Sequence, residues 1–465
     1  LMGARTMTDK VIKLDKKTSK LESHCFPRHT KVVPPVAVEG SGCYLRDADG
    51  KQYFDGSSGA AVSCLGHGDA DVAAAMKEQI DKLSFAHTGF FTSEPAEALA
   101  DLLIANAPLG IDRVYFVSGG SEAVEAALKL ARQYFVEIGE SNRTHIIGRK
   151  QSYHGNTLGA LAAGGNAWRR EQFAPLLFSA SHIDACYAYR GKADNESYFD
   201  YGQRMANELE GEILRLGPDK VMAFLAEPVV GATLGAVAAE DGYFTRIREI
   251  CDQYGVLLIL DEVMCGMGRT GSLFACNHDP VRPDIITIAK GLGAGYQPIG
   301  ATLCSKNIFD AIEAGSGFFQ HGHTYLAHPV ACAASFAVLT KIINQNLPAR
   351  SNKMGDMLQD ALQQKFSQHP FIGDIRGRGL LIGIEFVADR EQKTPFDPSN
   401  GINRRVKAAT FDAGLLCYPM GGTIDGKKGD HLLLAPPLIM EAGHIEEITN
   451  KLEIGFEKVF DSIEP

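Results

Sequence analysis

Short apolar runs alternate with segments of helical length through the middle of the chain. From about Ala70 onward the runs are rich in Val, Ile and Leu, and amphipathic stretches over residues 71–83 and 94–106 predict helices. The predicted strands are 114–117, 145–147, 221–225, 256–260, 285–288 and 300–304. Because these strands are apolar on both faces and are separated by helices, they predict a mostly parallel sheet covered by helices.

The two ends of the chain follow a different pattern. Asp49-Gly50 lies between alternating runs at 42–45 and 52–55, which predicts a β-hairpin. A long helix is predicted over 332–343. Beyond it the predicted helices are 352–368, 402–412 and 442–459, and the predicted strands are 380–386 and 432–434. We therefore predict an α/β fold with a large domain and a smaller α+β domain built from N- and C-terminal segments. The predicted divisions are 1–69 (N-terminal arm and part of the small domain), 70–335 (large domain) and 336–465 (C-terminal small domain).

Length and charge narrow the classes of function. A chain of 465 residues is too long for one simple core, and 45% hydrophobic with 22% charged residues is typical of a globular protein. The net charge of −10 argues against partners such as nucleic acid or an anionic membrane. No apolar run reaches the length of a membrane span, and the first residues lack the apolar stretch of a secretory signal.

The cysteines point to a reducing compartment. They are scattered from Cys25 to Cys417, and no two form a Cys-x-x-Cys pair. This usage in a long chain is typical of reduced intracellular thiols, so we expect a cytoplasmic protein. His321-Gly322-His323 lacks a third ligand at a suitable spacing, and we expect no metal site.

Three segments carry candidate chemistry. In the first, the apolar run ending at Val117 leads through Ser118-Gly119-Gly120-Ser121 into an Ala- and Leu-rich helix. Glycines permit close approach to the backbone, and the N–H groups of a helix N-terminus can hold a phosphate. The plain alternative is a capped helix start, since Ser followed by Glu is also a capping pattern.

The other two segments place charged residues directly after buried strands. Asp261 and Glu262 follow the run 256–260, where an acid can meet a cationic group of a ligand; a capping, metal-binding or solvated acid is the alternative. Lys290 follows the run 285–288 and precedes a glycine-rich turn. A desolvated lysine can attack a carbonyl as a neutral amine, although most lysines at strand ends lie on the surface.

Together the three segments match the needs of one cofactor. A phosphate-binding turn, an acid for a protonated ring nitrogen and an amine nucleophile are what pyridoxal 5'-phosphate (PLP) requires. The acid keeps the ring an electron sink, and the lysine carries the cofactor and moves a proton.

The chain also resembles a known family over nearly its whole length, from about Pro34 to the end. It is similar to the class III aminotransferases, or ω-aminotransferases, of the aspartate-aminotransferase fold (fold type I). The matching motifs are Ser118–Ala123, Tyr153-His154-Gly155, Glu227-Pro228-Val229, Leu260–Val263, Gly268–Gly271, Ala289–Leu292 and His323-Thr324-Tyr325. The resemblance implies that residues 70–335 form the PLP-binding domain.

The resemblance also implies roles for individual residues. Lys290 and Asp261 would be catalytic, with Lys290 joined to PLP as a Schiff base and Asp261 paired with the pyridine nitrogen. The other implied cofactor-binding residues are Gly120 and Ser121 (phosphate), Tyr153 and Val263 (the two ring faces), His154 and Glu227 (beside the ring) and Thr324 (the neighbouring subunit's phosphate). The contribution of Thr324 implies a homodimer with shared active sites. Tyr153, Val263 and His154 as core residues, and Thr324 as a turn cap, are the alternatives.

The substrate side departs from the family pattern. The arginine that binds a substrate carboxylate in many members is missing, since Leu433 and Tyr418 occupy its two usual positions. Residues 421–428 come close to a P-loop, but Lys428 replaces its Ser or Thr, and we predict a surface hairpin. The candidates for a carboxylate clamp are Arg169, Arg170, Lys427 and Lys428.

The same side is expected to have apolar walls. Relatives often carry an aromatic residue where this chain has Ala60, Ala61 and Val62, and Phe85, Phe90 and Phe91 remain the candidate aromatic wall residues. With Arg169 and Tyr418 they form the predicted substrate pocket, which suits an aliphatic amine or amino acid.

The resulting hypothesis is a PLP-dependent transaminase. It would move an amino group from an amine or ω-amino acid donor to a 2-oxo acid acceptor, with pyruvate as the first guess, by a ping-pong mechanism. A racemase or epimerase, an aminomutase and a decarboxylating transaminase remain alternatives on the same cofactor. A non-catalytic relative is disfavoured because Lys290, Asp261 and the phosphate turn are intact.

Overall fold

The computed structural model describes residues 24–279 and 281–463. The predicted arm therefore lies partly outside the described residues. The strands are β1 (Ala37–Ser41), β2 (Tyr44–Asp47), β3 (Gln52–Asp55), β4 (Ile111–Val117), β5 (His145–Arg149), β6 (Ser181–Ile183), β7 (Val221–Ala226), β8 (Val229–Val230), β9 (Val237–Ala238), β10 (Leu257–Asp261), β11 (Ile285–Ile288), β12 (Gly300–Ser305), β13 (Ile372–Arg378), β14 (Leu381–Phe386), β15 (Leu415–Leu416), β16 (Tyr418–Gly421) and β17 (Asp430–Leu434).

The helices are α1 (Ser58–Ala61, a single irregular turn), α2 (Ala70–Lys82), α3 (Glu94–Asn106), α4 (Gly120–Glu137), α5 (Leu158–Ala163), α6 (Ala167–Glu171), α7 (Ala188–Gly191), α8 (Tyr198–Leu216), α9 (Tyr243–Tyr254), α10 (Lys306–Ala314), α11 (Pro329–Asn344), α12 (Leu347–Phe366), α13 (Ile402–Asp412) and α14 (Gly443–Phe460). The six helices with predicted bounds correspond to α2, α3, α11, α12, α13 and α14, and their ends lie within five residues of the predicted ones.

A seven-stranded sheet forms the centre of the molecule, in the order β4-β12-β11-β10-β7-β5-β6. All neighbouring strands are parallel except β12, which runs antiparallel to β4 and β11. Alternate residues of β7 and β10 pack into two cores on opposite faces, one with α8 and α9 and the other with α4. The mostly parallel, helix-covered sheet is thereby confirmed.

The smaller sheets combine both ends of the chain. β15 pairs with β3 in parallel, so a C-terminal strand completes the N-terminal sheet β1-β2-β3-β15. The sheet β13-β14-β17-β16 is antiparallel, and β16 and β17 are joined by the loop 422–429, which contains most of the predicted hairpin at 421–428. The α/β class with smaller sheets from both termini is confirmed. α11 crosses the predicted boundary at 335, and the division into domains stays a prediction.

No single helix within residues 24–279 and 281–463 is long and apolar enough to cross a membrane. The bent pair α11 and α12 meets the length and composition criteria only when its two helices are taken together.

The sheet brings chemistry-bearing residues to one edge. β4, β7, β10 and β11 run in the same direction, so the segments that follow their carboxyl ends lie side by side. These segments carry Gly120, Glu227, Asp261 and Lys290. This edge is where ligands bind in open α/β sheets.

Candidate active site

A cavity of about 510 Å³ opens at this edge of the sheet. The predicted residues that line it are Gly120, Ser121, Tyr153, His154, Arg169, Glu227, Asp261, Val263, Lys290 and Tyr418. Its apolar walls include Ala60, Val62 and Ile299. Residues from distant parts of the chain thus meet around a volume that can hold a small ligand.

Lys290 lies on the wall of the cavity and is half-buried. Burial lowers the pKa of its amine from 10.5 to about 8, although the negative charges of Asp261 and Glu227 oppose this shift. Its backbone has φ of +46°, a strained conformation for a residue other than glycine. Within the described part of the chain, its Nζ makes no hydrogen bond. The amine is therefore available for reaction close to neutral pH.

Asp261 ends β10 and is 3% exposed. Its Oδ2 lies 2.7 Å from Nδ1 of His154, and its Oδ1 accepts hydrogen bonds from Val263 N at 3.0 Å and Thr287 Oγ1 at 3.2 Å. Three contacts on two oxygens fix the orientation of this carboxylate before any ligand enters.

The N-terminus of α4 forms the opposite wall. Its N-cap residue, Gly119, provides no side-chain cap, so the first N–H groups of the helix remain available to a ligand. Glu122 instead accepts a hydrogen bond from Ser118 N at 2.8 Å. The predicted capping pattern therefore holds the turn without using these N–H groups.

The turn requires glycine where it meets Val263. A Cβ at Gly120 would lie 2.8 Å from Cγ1 of Val263. Ser121 Oγ accepts a hydrogen bond from Asn156 N at 3.0 Å, and its own hydroxyl proton stays available. The turn before α4 and the Val263 side chain thus pack closely together.

Glu227 follows β7 and is buried at the same edge. Its Oε1 accepts a hydrogen bond from Tyr153 N at 3.2 Å. Burial, together with the charge of Asp261, raises its pKa to about 7. This group can therefore change its charge near neutral pH.

Tyr153 lies between the sheet edge and α6. The guanidinium carbon of Arg169 is 4.4 Å from the centre of its ring, a cation–π contact. Tyr418, from β16, completes this side of the cavity. Arg169 and Tyr418 come from segments that are far apart in sequence.

Four predicted residues lie elsewhere. Thr324 lines a second cavity, together with His87 and Thr88. Phe85, Phe90 and Phe91 are exposed on the loop between α2 and α3, and Phe85 packs against Tyr325. These phenylalanines do not line the cavity of their own chain, and their place in a substrate pocket stays a prediction.

The other proposed clamp residues also lie outside the cavity. Arg170 donates hydrogen bonds to backbone oxygens in and after α5. Lys427 is on the hairpin loop, 3.4 Å from Glu171. Conversely, sequence reasoning missed Arg28 and the segment 295–299, which line the cavity. The glycine-rich turn after Lys290 was the available signal for 295–299, whereas nothing distinguished Arg28 from its basic neighbours.

Comparisons with known proteins identify the family of the chain. The model of the class III aminotransferase family matches residues 25–455. An uncharacterized aminotransferase of Schizosaccharomyces pombe is 44% identical, covering 96% of this chain and 97% of its own length. A taurine–pyruvate aminotransferase of Bilophila wadsworthia is 35% identical, covering 98% of this chain and 97% of its own.

A solved structure is also similar over its whole length. An amine transaminase from an uncultivated Pseudomonas species, in its PLP-bound form, has a TM-score of 0.88 and 35% identity, covering 95% of this chain and 100% of its own. The chain belongs to the class III aminotransferase family and is a PLP-dependent transaminase.

The residues at the site fit the cofactor of this family. The uncapped start of α4 and the free hydroxyl proton of Ser121 suit a phosphate, and the oriented Asp261 suits a protonated ring nitrogen. The unbonded amine of Lys290 suits an aldehyde carbon.

Proposed function

We propose that the protein transfers an amino group from an amine or ω-amino acid to a 2-oxo acid, with pyruvate as the first acceptor to test. The observation that carries the proposal is the meeting of Lys290, Asp261 and the uncapped start of α4 around one cavity. The similar taurine–pyruvate aminotransferase uses pyruvate, according to its name, which supports this acceptor.

Roles for the cavity residues follow from their chemistry. Gly120 and Ser121 would bind the phosphate, Tyr153 and Val263 would lie against the two ring faces, and Asp261 would keep the ring nitrogen protonated. His154 would hold Asp261 in place through its 2.7 Å contact, and Glu227 would lie beside the ring. When bound, PLP supplies an aldehyde and a ring that accepts electrons from the bonds of the substrate amine carbon.

Lys290 would act first as a nucleophile and then as a proton carrier. Its lowered pKa, about 8, leaves a useful fraction of the amine neutral near neutral pH. The Lys290 amine, when it is not joined to the cofactor, would take the proton from the substrate carbon and return it at a different atom. The same amine would serve the transfer of the amino group to the 2-oxo acid.

The homodimer with shared sites is part of the proposal. Thr324 faces a different cavity from Lys290 in its own chain, and Phe85 contacts the adjacent Tyr325. We propose that this surface faces the neighbouring subunit, where Thr324 would reach the phosphate. The free thiols from Cys43 to Cys417, most of them buried, support a reducing compartment, and we propose the cytoplasm.

The test is the visible absorption of the holoprotein during each half-reaction. A donor amine should remove the absorption of the lysine-bound cofactor, and pyruvate or 2-oxoglutarate should restore it. An absorption that no amine changes would contradict transamination. Product formation without any oxo acid would instead favour a racemase, epimerase or aminomutase, and release of CO₂ would indicate a decarboxylating transaminase.

A further inference from the structure

Two adjacent arginines on α6 have opposite environments. Arg170 Nη1 donates to the backbone oxygens of Leu161 at 3.0 Å and Gly164 at 2.6 Å. The guanidinium of Arg169 makes no hydrogen bond or ion pair within residues 24–279 and 281–463, and its Nε is buried without a partner. A buried donor without an acceptor is costly, so it calls for an explanation.

Among the described residues, neither acidic side chain that lines the cavity is available to pair with Arg169. These acidic residues are Asp261 and Glu227. Asp261 is held by His154 and is assigned to the cofactor ring, and Glu227 is bound by Tyr153 N. Arg169 nevertheless acts on the reaction centre, since its charge helps to lower the pKa of Lys290. An incoming anion is the natural partner for this guanidinium.

The segment that carries Arg169 is held firmly. Asn166 Oδ1 accepts a hydrogen bond from Arg169 N at 3.1 Å, and Asn166 Nδ2 donates to Gln151 Oε1 at 3.3 Å. Gln151 Nε2 in turn donates to the oxygen of Gly422, at 2.5 Å, in the loop 422–429. The same loop packs on α6, because a Cβ at Gly426 would lie 2.8 Å from Trp168 N.

We propose that Arg169 is the receptor for the substrate carboxylate, so that the substrates are anionic amino acids and 2-oxo acids rather than simple amines and aldehydes. A guanidinium binds a carboxylate through its edge, often with two parallel hydrogen bonds, and an aromatic ring through its face. The contact with Tyr153 and a contact with a carboxylate are therefore compatible. This inference rests on the proposed transaminase activity.

The test compares two three-carbon acceptors, of which only pyruvate carries a carboxylate. Holoenzyme already carrying the amino group is mixed with pyruvate or with propanal, and the return of the cofactor absorption gives kcat and KM for each. Arg169→Met should lower kcat/KM for pyruvate by about 10- to 100-fold, mainly through KM, because binding of the charged group is lost. For propanal, kcat/KM should change less than about threefold. Arg169→Lys keeps the positive charge but loses the two parallel N–H donors of the guanidinium. Its kcat/KM for pyruvate should therefore lie between the values of the wild-type enzyme and of Arg169→Met.

A binding measurement gives a second readout. Propanoate should inhibit the wild-type enzyme competitively against pyruvate, propanamide should not, and Arg169→Met should lose the inhibition by propanoate. Lys427→Met is the matched control, since it removes one positive charge from the adjoining loop outside the cavity. This variant should leave kcat/KM for both acceptors and the inhibition by propanoate unchanged.

Three results would overturn the proposal. Equal losses for pyruvate and propanal in Arg169→Met would mean that Arg169 only supports Tyr153. Loss of pyruvate binding in Arg28→Met, but not in Arg169→Met, would assign the clamp to Arg28, which also lines the cavity. Failure of propanoate to inhibit the wild-type enzyme would contradict the existence of a carboxylate-binding site in the cavity.

These failures are distinguishable from failure of the proposed function. If the wild-type holoenzyme shows no half-reaction with any amine or oxo acid, the transaminase proposal itself is wrong. If Arg169→Met does not fold or hold PLP, Arg169→Lys, together with propanoate inhibition of the wild-type enzyme, decides the inference.

Discussion

The proposed cofactor side and the proposed substrate side of the cavity differ in how far contacts within the chain satisfy the charged groups. On the cofactor side, Asp261 is held by contacts to His154, Val263 and Thr287. On the other side, the guanidinium of Arg169 contacts the rings of Tyr153 and Trp168 and makes no hydrogen bond or ion pair with any residue that the structure describes. Contacts within the chain orient a group in advance, whereas an unsatisfied donor keeps its bonding capacity for a ligand that comes and goes.

Charged residues that are adjacent in sequence also differ in whether contacts within the chain satisfy them. Asp261 faces the cavity, while Glu262 accepts backbone hydrogen bonds from Ala275 N at 2.5 Å and Cys276 N at 2.9 Å. Arg169 lines the cavity, while Arg170 binds backbone oxygens. Residue type alone therefore does not separate a functional charge from a structural one.

The largest effect should come from Lys290→Ala. Turnover should fall by more than about 10⁴-fold, because one substitution removes both the nucleophile and the proton carrier. Single-turnover absorption with a donor amine measures the loss. Lys306→Ala, which removes an exposed lysine paired with Asp310, should retain full activity. Turnover by Lys290→Ala would contradict the assignment.

Asp261→Asn should lower kcat by about 10²- to 10³-fold, because the amide keeps the shape but loses the charge that holds the ring nitrogen protonated. The control is Glu262→Gln. It should keep kcat within a few-fold while lowering the free energy of unfolding by about 1–3 kcal/mol, since the amide cannot accept both backbone N–H groups as well. Steady-state kinetics and urea unfolding measure the pair. Equal losses of kcat in Asp261→Asn and Glu262→Gln would contradict the assignment of different roles to these two acids.

The lowered pKa of Lys290 predicts a pH dependence in the apoprotein. Capture of PLP should speed up about tenfold per pH unit below the pKa and level off above it, with its midpoint near pH 8 rather than near 10.5. The unfolded chain binds more protons than the folded one between these values. The free energy of unfolding should therefore rise with pH across this window relative to Lys290→Met. A midpoint near 10.5 would contradict the burial of the amine.

The smallest kinetic effect is expected for Arg170→Met. Leaving backbone oxygens without a donor should lower the free energy of unfolding by about 1–3 kcal/mol, measured in urea. The ratio of kcat/KM for pyruvate to that for propanal should not change, because Arg170 binds the backbone. A change in this ratio matching that of Arg169→Met would show that the two arginines act together.

Much of the fold was predictable because the central strands are locally distinctive. Every predicted strand of the large sheet is present, and the helices over 94–106 and 402–412 match α3 and α13 at both ends. The strands that were not predicted are β1, β6, β8, β9, β13, β15 and β16. β6 has only three residues, and β13 contains Asp374 and two arginines, so neither of these two shows a long apolar run.

The direction of β12 could not be predicted from the sequence. Its apolar pattern resembles that of its parallel neighbours, yet it is antiparallel to both β4 and β11. The pattern of a buried strand reports burial on both faces and carries no information about which way the strand runs.

The candidate site also contains residues that the sequence predicts and residues that it does not. Lys290, Asp261 and Gly120 could be predicted because each follows directly after a buried strand, and parallel strands bring such positions to one edge. The positions of Phe85, Phe90, Phe91 and Arg28 relative to the cavity could not be predicted in this way. These residues lie in loops or irregular segments whose paths depend on long-range packing.

The sequence by itself determined the α/β class, the edge of the sheet that bears the cofactor residues and the amine at the centre of the chemistry. Each of these depends on local patterns that survive in any compact arrangement of the strands. Only the tertiary structure decided that the Arg169 guanidinium lies at the cavity without a hydrogen bond to any described residue, while Arg170 donates hydrogen bonds to backbone oxygens. That difference depends on how α5, α6 and the distant loop 422–429 pack together, and no local pattern records such packing.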